Sequence, residues 1–257
     1  MGHDLSTGHP NRLNLSELKK RVAGGIDLNL QGVWWEGAPL EGAHLEGADL
    51  ASAHLARAMM NEAQLDEANL ENADMAGAQL AGASLQGAKA SYAQLEKACL
   101  KGASMQTANL SGANLRSADL SEANLQGANL RRACLVGANL TGAHFEDCNL
   151  FQTDFENASL DYAHLDRSLL HHANLSGCSL RGVTVDGVLL NMLTQLDIST
   201  LDPGAQEHIH VSSPLSKSRL LPIVPCFMDE AERAAKLALE AAAAGLPDPG
   251  APAAAPA

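Results

Sequence analysis

Apolar positions along this chain follow a period of five. Ala recurs at 38, 43, 48, 53, 58, 63, 68 and 73, and Leu or Met follows two residues later at 40, 45, 50, 55, 60, 65, 70 and 75. The phase holds without insertion or deletion to Val188 and Leu190. A helix needs apolar residues at i, i+3, i+4 and i+7. A strict five-residue step instead advances a helix by about 500° and scatters the Leu positions round the cylinder. A plain strand fails too, because the alternation lasts only three residues at a time. The unit Ala-x-Leu-x-x therefore reads as inward, outward, inward, then a corner. Gly ends many units, as at Gly42, Gly77, Gly102 and Gly137, where a turn demands positive φ. A self-similar period of this kind predicts a solenoid.

Units such as Ala48-Asp49-Leu50, Ala108-Asn109-Leu110 and Ala138-Asn139-Leu140 resemble the pentapeptide-repeat family, whose pattern is A-(D/N)-L-x-x. The resemblance spans residues from about 28 to 190. It implies an all-β solenoid, a right-handed quadrilateral β-helix with four repeats to a coil. Residues 20 apart then stack, so Leu80, Leu100, Leu120, Leu140 and Leu160 form one interior column and Asn109, Asn129 and Asn149 one outer ladder. Phe145 and Phe155 replace Leu and face each other across the core. Cys148, Thr153, Ser168, Cys178, Val183 and Val188 replace Ala and widen the later coils. Ala90 replaces a Leu and leaves space.

Solenoid ends need covering. Ser16 is placed to cap a short helix ended by Gly24, and Trp35 is placed to plug the first coil. The expected organisation is an N-terminal segment and cap at 1–27, the β-helix at 28–190 and a closing segment and linker at 191–227. A helix at 228–246 and a disordered Ala/Pro tail at 247–257 complete it. That helix is a candidate dimer contact, although its mostly Ala apolar positions bury little area, so monomer and dimer both stay open.

Composition agrees with a repeat fold: 46% of residues are hydrophobic yet only 3% are aromatic. The formal net charge of -13 opposes direct nucleic-acid binding and suits a basic partner. No run of 18 apolar residues predicts a membrane span. The N-terminus lacks a signal peptide's apolar stretch. Five cysteines without metal-site spacing suit free thiols in a reducing compartment, hence a cytoplasmic setting. The alternative is a secreted effector or secretion-system accessory without a cleaved signal peptide. Gly2 stands in an N-myristoylation pattern that matters only in a eukaryotic cell.

Stacking by 20 sorts the outward charges. One side carries Glu46, Asp66, Glu67, Glu146, Asp147, Asp166 and Asp186 against Arg167. The adjacent side stacks Arg131, Phe151 and His171, with Arg132, Gln152 and His172 beside them, a candidate recognition patch because Arg and aromatics dominate hot spots. His144 and His164 stack near carboxylates; solvation is the plainer reading than a metal site, and neither metal nor cofactor is expected. There is no phosphate loop, nucleophile elbow or pocketed triad, so the chain is read as a non-enzyme that binds a protein partner. The resemblance also implies an alternative, DNA mimicry towards type II topoisomerases such as gyrase. Leu rather than Phe at the central position, the lack of any inserted loop over 38–190, and 18 acids against 9 bases there weigh against it.

Overall fold

The computed structural model describes residues 28–190, Thr194, Leu196, Leu201, Ala205 and 210–211. The expected N-terminal cap, Gly2, the 228–246 helix, the tail and most of 191–227 lie outside the described residues.

Each outward residue forms a parallel bridge with the residue twenty further on, in unbroken succession from Asn29↔Asp49 to Leu169↔Leu189. Four Leu-x-x-Ala turns divide each twenty-residue coil, and in each the Ala N–H donates to the Leu carbonyl three residues back, as from Ala98 to Leu95 at 3.0 Å. The section is therefore four-sided. At about 4.8 Å per coil, the eight steps from Asn29 to Leu189 make a rod about 38 Å long. One rung is added beyond it: β1 (Leu189–Leu190) pairs in parallel with β2 (His210–Val211), in a register of 21.

The interior consists of the two inward positions of every unit. Ala and Leu from residue 45 to 165 are almost entirely excluded from solvent, and Trp35 is buried in the first described coil. Phe145 and Phe155 meet edge-to-face, with centroids 6.1 Å apart at 86°. Ala90 is buried between Leu70 and Leu110 in its column. The residues replacing Ala are more than bulk. Thr153 Oγ1 donates to the Leu130 carbonyl at 2.9 Å, Cys148 Sγ to that of Leu125 at 3.0 Å, and Cys178 Sγ to that of Phe155 at 2.9 Å. Each adds a second donor to a turn carbonyl in the coil beneath. Burial pushes the Cys148 and Cys178 thiols up to about 12.

The backbone accounts for four of five N–H groups per unit. Around Leu110, Asn109 N–H reaches the Ala88 carbonyl, Leu110 that of Asn129, Gly112 that of Arg131, and Ala113 closes the turn on Leu110. The fifth, that of Ser111, is taken by Asn109 Oδ1 at 3.2 Å. An Asp or Asn at the outward position is thus an Asx turn that satisfies the group the ladder cannot reach.

Every turn's third residue has positive φ. Gly was expected there, yet seventeen non-Gly residues adopt it, from φ 55 at Ser52 to φ 62 at His172. Hydrogen bonds above and below hold each corner, and these offset a strain of about 1 kcal/mol per residue.

Two substitutions separate the interior from the corners. Leu130→Ala, at a fully buried position, is expected to cost about 3 kcal/mol. Gly102→Ala, with open space around a Cβ but φ +63, is expected to cost about 1 kcal/mol. Chemical denaturation followed by circular dichroism gives both.

Candidate protein-interaction surface

The coil register brings the five expected patch residues together. Arg131 and Arg132 are exposed, and Phe151, His171 and His172 are partly so. The Arg131 guanidinium lies 4.9 Å from the Phe151 ring centroid, and the His172 ring lies 5.2 Å from it at a tilt of 51°. Arg132 Nε donates to Gln152 Oε1 at 2.9 Å. Burial, and secondarily the neighbouring His172, hold the His171 pKa below its ordinary value. The result is an aromatic ring clasped by a cation and an imidazole, backed by Thr153's bond to Leu130.

The acidic residues share one edge but fall into two groups. Glu46, Asp66 and Glu67 lie towards the first coils, and Glu146, Asp147, Asp166 and Asp186 towards the last. Gln86, Gln106 and Gln126 occupy the same column between them. Four coils, about 19 Å, separate Asp66 from Glu146, roughly two Debye lengths at physiological salt.

Two of these acids, Asp66 and Asp166, also serve the wall. In four units whose outward residue is Ser, Thr or Gln, the fifth N–H is instead accepted by an acid or amide in the coil beneath. Gln86 N–H donates to Asp66 Oδ1 at 2.9 Å, Asp186 N–H to Asp166 Oδ1 at 2.6 Å, Arg181 N–H to Asp161 Oδ1 at 3.0 Å and Ala81 N–H to Asn61 Oδ1 at 3.0 Å. Asp147 takes two bonds from Arg167, each 2.8 Å, and these hold its carboxyl below the usual range. Glu46 and Glu146 each contact a His Nδ1, of His44 and His144, at 3.0 Å.

His144 and His164 stack with centroids 4.6 Å apart and planes 12° from parallel. Their Nδ1 atoms turn to Glu146 and Thr184 respectively. Among the described residues no group of three or more His, Cys, Asp or Glu is arranged to hold a metal ion. No described helix is long and apolar enough to cross a membrane. In the outer Asn ladder, Asn129 Nδ2 donates to Asn109 Oδ1 at 3.1 Å, while Asn149 Oδ1 accepts from Phe151 N–H.

One wall was not legible beforehand. The outward residues Asn114, Cys134, Asp154 and Asn174 are all buried, at 7%, 0%, 5% and 8% exposure, whereas their counterparts on the other three walls are partly or fully exposed. Cys134 is disulfide-bonded, which corrects the expectation of free thiols throughout; Cys99, Cys148 and Cys178 are free. The available signal was a cysteine at an outward position that otherwise carries Asn or Asp.

A filled, four-sided coil with chemistry only on its outer walls defines a repeat solenoid of the β-helix class. Pentapeptide-repeat models match residues 36–72, 63–102, 108–147 and 148–187, eight copies in all. The chain belongs to the pentapeptide-repeat family, whose solved members are right-handed β-helices and whose proteins are generally structural or binding rather than enzymatic. Among solved structures it is similar to HetL of the cyanobacterium Nostoc sp. strain PCC 7120, a protein involved in heterocyst differentiation regulation. Identity is 29%, with 70% of this chain and 84% of that one covered and a TM-score of 0.50. Rfr23 of the cyanobacterium Cyanothece 51142 is 30% identical over 38% of this chain and 64% of its own, with a TM-score of 0.25. QnrB1, a plasmid-mediated fluoroquinolone resistance protein, is 21% identical over 62% and 86%, with a TM-score of 0.35. No curated protein matches at a significant level.

Two substitutions test the wall's electrostatics. Asp66→Ala removes the acceptor of Gln86 N–H and is expected to cost about 1 kcal/mol. Asp66→Asn, which keeps Oδ1, and the neighbouring Glu67→Ala are expected to cost a few tenths at most; denaturation midpoints distinguish them. Burial raises the Asp154 pKa, so its ionisation opposes folding. The wild type keeps full stability below the unfolded carboxyl pKa and loses some as pH rises through the higher folded value. Asp154→Asn keeps the oxygen that accepts from Asn174 Nδ2 and Glu156 N–H. It is therefore expected to be the more stable at pH 7, by ~1 kcal/mol or less, with the advantage vanishing as pH falls. Melting temperatures from pH 3 to 7 test this.

Proposed function

We propose that the chain is a non-enzymatic scaffold that binds a protein partner through the edge formed by Arg131, Arg132, Phe151, His171 and His172. The observation that carries this reading is the Arg131–Phe151–His172 cluster. It is an aromatic and cationic surface, held in place by the coil register, on a rod whose interior is filled with side chains. Cations around an aromatic fit an acidic partner surface that offers an apolar contact. Similarity to HetL, whose described role is regulatory, agrees with a function in binding.

DNA mimicry towards gyrase is the weaker reading. It needs a continuous acidic track, and the acids here form two groups with Gln between them. Several of those acids already accept wall N–H groups or pair with Arg167.

Affinity capture from the native cell lysate with wild-type protein and with the Arg131→Glu/Arg132→Glu variant tests the binding edge. The expected result is a partner retained by the wild type and reduced at least about tenfold by the variant, from the loss of hot-spot contacts. A Glu46→Gln/Glu67→Gln control should retain it. Equal retention by the charge-reversed variant, with its circular dichroism unchanged, overturns the proposed edge. Gyrase supercoiling inhibited by the wild type would favour the mimicry reading instead.

A further inference from the structure

We infer that the corner bearing Arg131 and Phe151 is self-complementary, and that its occupant is a second copy of this chain laid antiparallel against it. The inference rests on the binding edge proposed above and gives that edge a partner.

The corner is built from two columns that step by 20, one through Ser91 and one through Tyr92. A two-fold axis perpendicular to two facing rods runs them antiparallel and sets each column against its own counterpart, so that residue i meets j and j meets i. With the axis midway between Ser91 and Ser111, position 71 of one copy faces position 131 of the other, and position 51 faces 151. These are Glu71 on Arg131 and Ala51 on Phe151, an acid on a base and a small residue on a ring, each made twice. No two like charges face each other along either column. The level of the axis is filled by Tyr92, whose ring lies over its own Gly112, so the two Tyr92 rings meet there.

The single chain leaves these groups ready for such a contact. Tyr92, at 61% exposure, is the most open of the large hydrophobic side chains among the described residues. Glu71 is exposed, and the ion pairs of the rod do not include it. The Arg131 guanidinium lies against the Phe151 ring, which keeps the N–H groups at its rim for a carboxylate. A central aromatic pair flanked by Arg–carboxylate pairs is the arrangement that concentrates binding energy. An opposing contact is Lys89 on the adjoining wall, one coil from its counterpart; it is exposed and has solvent to turn into.

Area sets the strength. The contact runs about 34 Å along the corner. At roughly 12 Å of width it buries about 400 Å² per copy, half of what a standard interface takes from each partner. Association is therefore weak and reversible, and chain concentration decides how much of the edge is covered.

Sedimentation equilibrium of the full chain up to roughly 0.5 mM, a range suited to so small an area, is expected to show a monomer–dimer equilibrium. Arg131→Glu and Glu71→Arg each turn both attractions into repulsions. Each is expected to weaken association at least about tenfold, with circular dichroism unchanged. In an equimolar mixture of the two variants every pair again joins an acid to a base, so the mixed dimer is expected to recover the wild-type affinity. That recovery separates this register from a parallel or end-to-end dimer. A chain monomeric throughout, a dimer unmoved by either variant, or a mixture no stronger than its components would overturn the inference. Where the wild type is monomeric yet the Arg131→Glu/Arg132→Glu variant still loses a partner captured from lysate, the inference fails and the binding edge stands.

Discussion

The structure depends on backbone hydrogen bonding between stacked coils, and one N–H group per repeat falls outside that ladder. Turn closure and the ladders to the coils above and below accept four of every five, leaving only the first corner residue's. Where the outward residue is Asp or Asn an oxygen two residues back accepts it, as Asn109 Oδ1 does for Ser111; in four other units an oxygen one coil beneath does, as Asp66 Oδ1 does for Gln86, and corners such as Glu41 and Lys101 are exposed to solvent. A buried or half-buried N–H left unmade costs about as much as a hydrogen bond is worth. The preference for Asp and Asn beside the inward Leu is therefore a backbone requirement before it is a surface property.

This changes what the surface charge means. Asp66 and Asp166 are wall acceptors, and Asp147 is the bidentate partner of Arg167. With Gln in the middle coils, the edge has two short acidic stretches whose charges are largely engaged locally. Arg131 and Arg132 differ. Neither side chain serves the wall: one lies over Phe151, and the other reaches along the surface to Gln152.

What the sequence revealed follows from the same logic. The period and the stacking by 20 were legible because one residue type repeats at each depth, so the columns containing Leu130, Phe151 or His171 were known in advance. The Phe145–Phe155 contact across the core followed from phase alone. Local substitution of one acceptor for another was not legible, because it links a residue to a neighbour twenty positions away only when the outward residue is Ser, Gln or Thr. Nor was positive φ at residues such as Tyr92, Arg132 and His172; propensity assigns that conformation to Gly, and the stacked coils override it. The burial of the Cys134 wall was not legible either, since the Asn and Asp residues there are of the same types as those on the exposed walls.

The departures from the repeat inside the rod and outside it occur in the same coils. Arg131, Arg132, Phe151, His171 and His172 sit over the stretch where Cys148, Thr153, Phe155 and Cys178 interrupt the Ala and Leu columns. Thr153 follows Gln152 directly and donates to the carbonyl of Leu130, the residue just before Arg131. One hydrogen bond thereby ties the coil bearing Phe151 to the coil bearing Arg131. The Phe145–Phe155 contact fills the core at the same level. A wall with doubled turn bonds and a filled interior lets its side chains move little relative to one another, and binding then costs less ordering. The regular coils supply length and register, and the irregular ones hold the aromatic and cationic cluster in a fixed arrangement.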